Sequence, residues 1–341
     1  ILQSMKFGGK RVIFDKDRGL EIAVRAMRGS YEIIKPGIST GFNPCKLADT
    51  PANRYFLALL LRKILLSNDS ITTADNEVIK QAVEGLYRLD PSLRQFRNIA
   101  SFFGVKRPGS LRERFDQWHS NGMYAWVFDH NEDTLNLDAT VMGFGLDYIL
   151  GDVDTKTPVL MYLTYRVEAA LEGKPGILFC DEGWNALNDE YFKSLIDNWS
   201  RTPRKKDNIF GLATQVANDT ANSLINKSLN ESAFCKFFFP NPLADRKVYI
   251  DEFGLSEHEY ELIKKLPDDQ HQFLLSYGRG VNRESVIARL NLTGLEDDIA
   301  VLSARESSLA IFDQVRKDHG NDPANWLPIF IEQVKRGRIC R

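Results

Sequence analysis

The sequence has no G-x-x-x-x-G-K-[ST] stretch, no C-x-x-C, no excess of either charge and no long apolar run. Each absence removes a class of protein. The four cysteines, Cys45, Cys180, Cys235 and Cys340, are scattered, which argues against a disulfide scaffold or a zinc module. Cys180 and Cys235 lie in apolar strand-like runs, where a free thiol acts as a small hydrophobe. None of the five histidines has a metal or nucleophile partner in spacing, so all five read as structural or surface residues. The longest apolar run, FLALLLRKILL from Phe56, is broken by Arg62 and Lys63 and falls short of the ~20 residues a membrane span needs. Membrane association is therefore expected through partner proteins or a part of the chain not included here. With 44 basic against 46 acidic residues, the formal net charge of −2 makes no electrostatic case for nucleic acid. The strongest basic cluster, in SRTPRKKDN, is short. No repeat or low-complexity tract points to a solenoid or a disordered tail.

What is present is ordinary globular material: 341 residues, 43% hydrophobic and 26% charged, enough for one large domain with insertions or for two domains. RVIFD, LEIAVRAMRG and SYEIIKPG read as strand, helix and strand, a βαβ pattern. From Thr50, an N-cap followed by Pro51, the periodicity turns helical and stays so to Gly122. Thr72 or Thr73 opens a second helix in that block. Strand signals return with YAWVF and ATVMGFGL. A helix beginning at Thr157-Pro158 follows, then the strands ILFCDE, NIFGLATQ and FCKFFFP, with helices near 189–200 and through ANSLI. Ser256 and Glu259 form a capping box for EYELIKKL. A strand pair, HQFLLSYG and ESVIARLNL, precedes two or three terminal helices. The expected architecture is α/β: a doubly wound, mostly parallel sheet with an antiparallel edge and helical additions. Its boundaries fall at 1–49 (start of the core), 50–122 (an all-helical insertion), 123–295 (remainder of the core) and 296–341 (C-terminal helices).

One stretch concentrates chemistry. In GKPGILFCDEGWNAL, an apolar run bounded by Pro175-Gly176 ends on Asp181 and Glu182. Ligands of open α/β sheets sit at the carboxyl ends of such strands. Two acids there read as a Walker B element, one acid for Mg²⁺ and one for an attacking water. The plain alternative is that the pair caps the next helix. A Walker B element needs a phosphate-binding loop, and the two lookalikes fail. Gly8-Gly9-Lys10 and Gly173-Lys174 precede strands, whereas a phosphate loop follows a strand and opens a helix. Ile1 to Met5, followed by Gly8-Gly9, reads as the tail of the helix after such a loop. The expectation is that the first strand and the loop lie just upstream.

RVIFDKDRG, GFNP, DTPANR, TPVLMYLTYRVEAAL, ILFCDEGWNAL, RKKDNIFGLATQ and the run from Phe237 to Pro267 together resemble the ATPases of conjugation and type IV secretion systems (the TraC, TrwK and CagE type, the fourth VirB component). The resemblance covers nearly the whole chain in order, and Phe237 to Pro267 is its most specific part. It implies the C-terminal ATPase domain of that family, a RecA-like P-loop NTPase domain with an all-helical insertion and C-terminal helices. It implies ATP and Mg²⁺ as ligands. It also implies a homo-oligomer, a hexamer, working with other inner-membrane components and ATPases of a secretion system on the cytoplasmic face of the bacterial inner membrane. Asp181 would hold Mg²⁺ through water, and Glu182 would orient and deprotonate the attacking water. Gln215 closes the neighbouring strand, where its amide would sense the γ-phosphate; capping of the next helix is its alternative. Arg204 would reach a neighbouring subunit's phosphate, with Arg201 and Lys205 as rivals and a solvated charge cluster as the alternative. Asp15, Asp17 and Arg18 would contact the nucleotide or a neighbour, though turn chemistry explains the acids about as well. Asn241 and Pro242 would border the base or ribose pocket, and Arg246 reads as a surface or interface residue.

The leading reading is an ATP-hydrolysing motor subunit for pilus assembly and substrate transfer. A DNA-pumping coupling-type translocase is the alternative on the same fold, and a non-hydrolysing structural platform is the alternative of a different kind.

Overall fold

The structure is a computed structural model describing residues 1–66, 71–182, 190–201, 207–215, 226–278 and 280–339. It divides into two compact units. One comprises Ile1–Tyr31, Thr140–Gly143 and Gly173–Arg341; the other comprises Glu32–Ala139 and Phe144–Glu172.

The first unit is organised on β1 (Lys10–Asp15), whose residues from Arg11 to Asp15 are all buried. A strand buried on both faces reads as a continuous apolar run, and Val12-Ile13-Phe14 supplies one. β1 pairs in parallel with β4 (Gly176–Cys180), and β4 with β5 (Asn208–Leu212), in a register that aligns Phe14, Cys180 and Leu212. With β2 (Ser30–Ile33) and β3 (Val141–Gly145) the sheet order is β2-β3-β1-β4-β5. Adjacent β1 and β4 are far apart in sequence, as parallel pairing through crossovers requires. Between β1 and β2, α1 (Glu21–Ala26) buries Ile22, Ala23 and Val24. Behind the sheet α5 (Glu190–Arg201) sets Trp199 in a stack on Phe14, with ring centroids 6.1 Å apart. Residues Leu2–Phe7 form a 3-10 turn rather than the end of an α-helix.

FCKFFFP departs from the expected succession. β6 (Cys235–Phe238) joins β7 (Gln272–Tyr277) and β8 (Glu284–Arg289) in a separate antiparallel sheet of order β6-β7-β8. The pair read as an antiparallel edge therefore has its own sheet, and Cys235 is exposed on it. Its inner face packs Leu274 with Tyr249, Tyr260 and Ile263. After α6 (Asn226–Ser232) and β6, α7 (Glu257–Lys265) starts at the expected capping box, Ser256 Oγ accepting from Glu259 N at 3.3 Å and Glu259 Oε2 from Ser256 N at 2.7 Å. Three helices close the unit: α8 (Glu296–Leu302), α9 (Glu306–His319) and α10 (Pro323–Ile339). Phe312, Trp326 and Phe330 from α9 and α10 form a buried cluster that takes in Ile22 of α1.

The second unit is mainly helical. α2 (Pro51–Leu65) is capped by Thr50, and α3 (Thr73–Arg88) by a box of Thr72 with Asp75. α4 (Lys156–Leu171) is buried over most of its length. YAWVF, expected as a strand, contains a helical turn, Ala125–Phe128. Phe128 sits between Phe96, Trp118 and Tyr162, and that packing overrides the β preference of the aromatic run. Among the described residues no helix is long and apolar enough to cross a membrane.

Candidate nucleotide site

The parallel register brings three chain ends to one edge. Asp181 N donates to Phe14 O at 2.8 Å, and Ala213 N to Cys180 O at 2.9 Å. The residues after β1, β4 and β5 thus emerge side by side at the carboxyl edge, where open α/β sheets place ligands.

Asp181 is half-buried. Burial pushes its carboxyl above the ordinary aspartate range, and the negative charges of Glu182 and Asp17 add to that. Glu182 holds a left-handed backbone, φ 50°, a conformation costing an ordinary residue about 1 kcal/mol. Its Oε1 accepts from Gln215 N at 2.8 Å, so the carboxylate is fastened to the segment after β5, and no described residue donates to its other oxygen. Gln215 itself is exposed.

Over this pair runs the turn after β1. Asp17 and Arg18 both take positive φ, 63° and 57°. A Cβ at Gly19 would lie 3.5 Å from Asp181 Oδ2 and 3.4 Å from Asp15 Oδ1, so the glycine brings the turn close to both acids. Asp15 is buried, its Oδ2 accepting from Leu20 N at 2.8 Å and from the Tyr31 hydroxyl at 2.6 Å, which is turn chemistry. Asp17 is exposed, 3.8 Å from Lys16 Nζ. The Arg18 guanidinium forks onto Asp313 of α9 at 2.6 and 3.0 Å and donates to Glu21 at 2.6 Å. Those carboxylates, Asp313 foremost, hold Arg18 above its ordinary value.

Among the described residues no group of three or more potential metal ligands converges. Asp181 and Glu182 offer carboxylate oxygens of the kind a hard divalent cation takes, Asp17 adds a third negative charge, and Gly19 leaves room for one Cβ beside Asp181.

Other expected residues fall elsewhere. Asn241 closes a turn, its Oδ1 accepting from Leu243 N at 3.0 Å and its Nδ2 donating to the Tyr249 hydroxyl at 3.1 Å. Pro242 follows it after β6, in the antiparallel segment. Arg246 pairs with Glu257 at the surface. Arg204 and its rival Lys205 lie outside the described residues, as does the ANSLI segment, and Arg201 ends α5. The alternatives in which Asp181-Glu182 or Gln215 cap a following helix also involve residues outside the description. Sequence reasoning did not single out Gly19; a glycine ending a turn of two acids and an arginine after the first strand was the available signal.

No protein-family model matches the chain. It is 34% identical to the type IV secretion system protein VirB4 of Bartonella quintana (strain Toulouse) over 333 residues, covering 97% of this chain and 42% of that protein. The chain thus spans about two fifths of the length of the curated relatives it matches. Its fold is similar to the structure of VirB4 of Thermoanaerobacter pseudethanolicus, with a TM-score of 0.63 over 86% of this chain and 85% of that one at 14% identity. It is also similar to the plasmid coupling protein TrwB in complex with ADP and Mg²⁺, with a TM-score of 0.51 over 86% and 80% of the two chains at 13% identity.

Proposed function

The chain belongs to the VirB4 family of type IV secretion proteins, and from that premise we propose that it is the hydrolytic part of an ATP-driven motor subunit powering pilus assembly and substrate translocation. The observation that carries this reading is the adjacent Asp181 and Glu182 at the carboxyl edge of the sheet, with Glu182 fastened to β5 at Gln215. Asp181 would hold Mg²⁺, and Asp17 would add to the negative charge that favours a cation there. When bound, Mg²⁺ neutralises charge on the phosphate oxygens. Glu182 orients the attacking water and takes its proton on the oxygen that Gln215 N does not occupy. Gln215 would sense the γ-phosphate with its side-chain amide from the same edge. Asp15 and Arg18 act by holding the turn that carries Asp17 and Gly19. Arg204 acts in trans, from a neighbouring subunit of a homo-oligomer, a hexamer, docked with other secretion components on the cytoplasmic face of the inner membrane.

The related structure of TrwB with ADP and Mg²⁺ supports the choice of nucleotide and cation. Likeness to that coupling protein also supports a second reading, a DNA-pumping translocase, against which the formal net charge of −2 weighs.

Glu182→Gln in the encoded full-length protein is the test. The amide keeps the shape and loses the proton-accepting ability, so ATP binding should persist while steady-state hydrolysis falls ~10²–10⁴-fold. Hydrolysis within a few-fold of the parent rules Glu182 out as the base.

A further inference from the structure

The antiparallel sheet carries a lysine where its period calls for a core residue. In β6 the side chains alternate, and Phe238 packs inward against Tyr249 and Phe253. Lys236, two residues earlier, shares that inner face. Its partner across the ladder is Ser276, which is buried. Burial lowers the lysine from its ordinary pKa, and the positive charge of Arg283 lowers it further. Among the described residues no carboxylate lies in ion-pair range of Lys236 Nζ.

Arg283 is half satisfied. Its Nη2 donates to the buried Glu259 at 2.6 Å, while its Nη1 is enclosed with no acceptor among the described residues. Lys236 and Arg283 both line a cavity of about 600 Å³, within the range of small-molecule sites. Two neighbouring cations with unused, desolvated donors raise the free energy of the empty site, since a buried charge without a partner is costly.

We propose that this cavity binds a compact oxyanion, a carboxylate or a phosphate monoester on a small organic body, held by Lys236 Nζ with the positive charge of Arg283 beside it. Ser276 offers a hydroxyl at the floor, and Phe234 and Phe253 give apolar walls for the body. Gly278 lines the cavity at φ 93°, where a Cβ would meet Asn282 O at 2.3 Å, so the turn there requires a glycine. The rim carries Glu231, Asp251 and Glu252, whose charges exclude a polyanion such as a nucleoside triphosphate or a nucleic-acid backbone. None of Asp181, Glu182 and Gln215 lines the cavity, so this site is additional to the one proposed for ATP.

The test is thermal unfolding of the protein at fixed ionic strength, with inorganic phosphate or acetate replacing chloride. At least one of the two should raise Tm saturably. A response to phosphate alone identifies the ligand group as a phosphate monoester, and a response to acetate alone identifies it as a carboxylate. Lys236→Met should abolish the shift and, in chloride, raise Tm over the parent, because it removes an unpaired cation from a core-facing position. No saturable shift with either anion, or an undiminished shift in Lys236→Met, overturns the proposal. A second readout needs no variant. Acylation of Lys236 by an amine-reactive ester, followed by peptide mass spectrometry against the exposed Lys265, should slow severalfold in the effective anion. Unchanged relative labelling of Lys236 overturns the proposal equally.

Discussion

At the scale of single residues, the site joins two carboxylates with opposite demands. Asp181 is pushed toward its neutral form by burial and by Glu182, and a bound cation reverses that preference. The sign follows from linkage. A folded-state value above the unfolded one means the ionised carboxylate opposes folding, and the penalty fades as pH falls through the folded value. Asp181→Asn should therefore raise Tm at about pH 7 without metal, and the gain should shrink as pH falls toward the ordinary aspartate value of about 4. Melts of both proteins at the two pH values check this; a variant less stable than its parent at neutral pH contradicts it. The type of these residues was readable in ILFCDE. The left-handed backbone of Glu182 and its bond to Gln215 were not, because both depend on β5 arriving beside β4 from well down the chain.

At the scale of elements, α1 shows how local pattern and long-range contact divide the work. Its helix was evident from the period of Leu20, Ile22, Ala23, Ala26 and Met27. Its buried Glu21 was not explicable until the structure placed Arg18 and Arg25 around it, at 2.6 and 2.7 Å, with Arg316 of α9 at 3.6 Å. Burial lowers Arg316 from its ordinary value, and the nearby Arg25 adds to that. Glu21→Gln leaves those guanidinium groups without their shared counter-charge and should destabilise the protein by roughly 3 kcal/mol, as breaking one side of a buried pair does. Urea unfolding at neutral pH measures it, and a loss under about 0.5 kcal/mol, the size of a neutral surface change, would show that Glu21 is not the clasp. YAWVF marks the limit of local reading. Its aromatic run favours a strand by composition, and burial among Phe96, Trp118 and Tyr162 decides for a helical turn. Lys236 is legible in FCKFFF as a charge two residues from Phe238, in the same strand phase.

At the scale of the molecule, the proposed motor depends on a second copy of the chain. Arg204 is assigned to a neighbour's phosphate. Arg204→Ala should then impair hydrolysis by the assembled oligomer, ~10³-fold or more if it matches trans arginines of other nucleotide hydrolases, and spare nucleotide affinity of the isolated subunit. Mixing Arg204→Ala subunits with Glu182→Gln subunits should restore part of the activity, because some interfaces then join an intact Glu182 to an intact Arg204. A mixture as inactive as its parents, with subunit exchange confirmed, would assign a cis role. Full activity of Arg204→Ala alone would transfer the role to Arg201 or Lys205.

By itself the sequence determined the α/β class, the helical block after Thr50, a helix start at Thr72 or Thr73, the capping box at Ser256, and the acids that follow β4. These depend on periodicity and side-chain chemistry acting within a few residues of chain. Only tertiary structure decided that FCKFFFP belongs to its own antiparallel sheet, that Arg18 is committed to Asp313, and that Lys236 and Arg283 share one cavity. Those outcomes rest on contacts between segments distant in the chain, and on burial that removes water from charged groups, neither of which a local pattern of residues encodes.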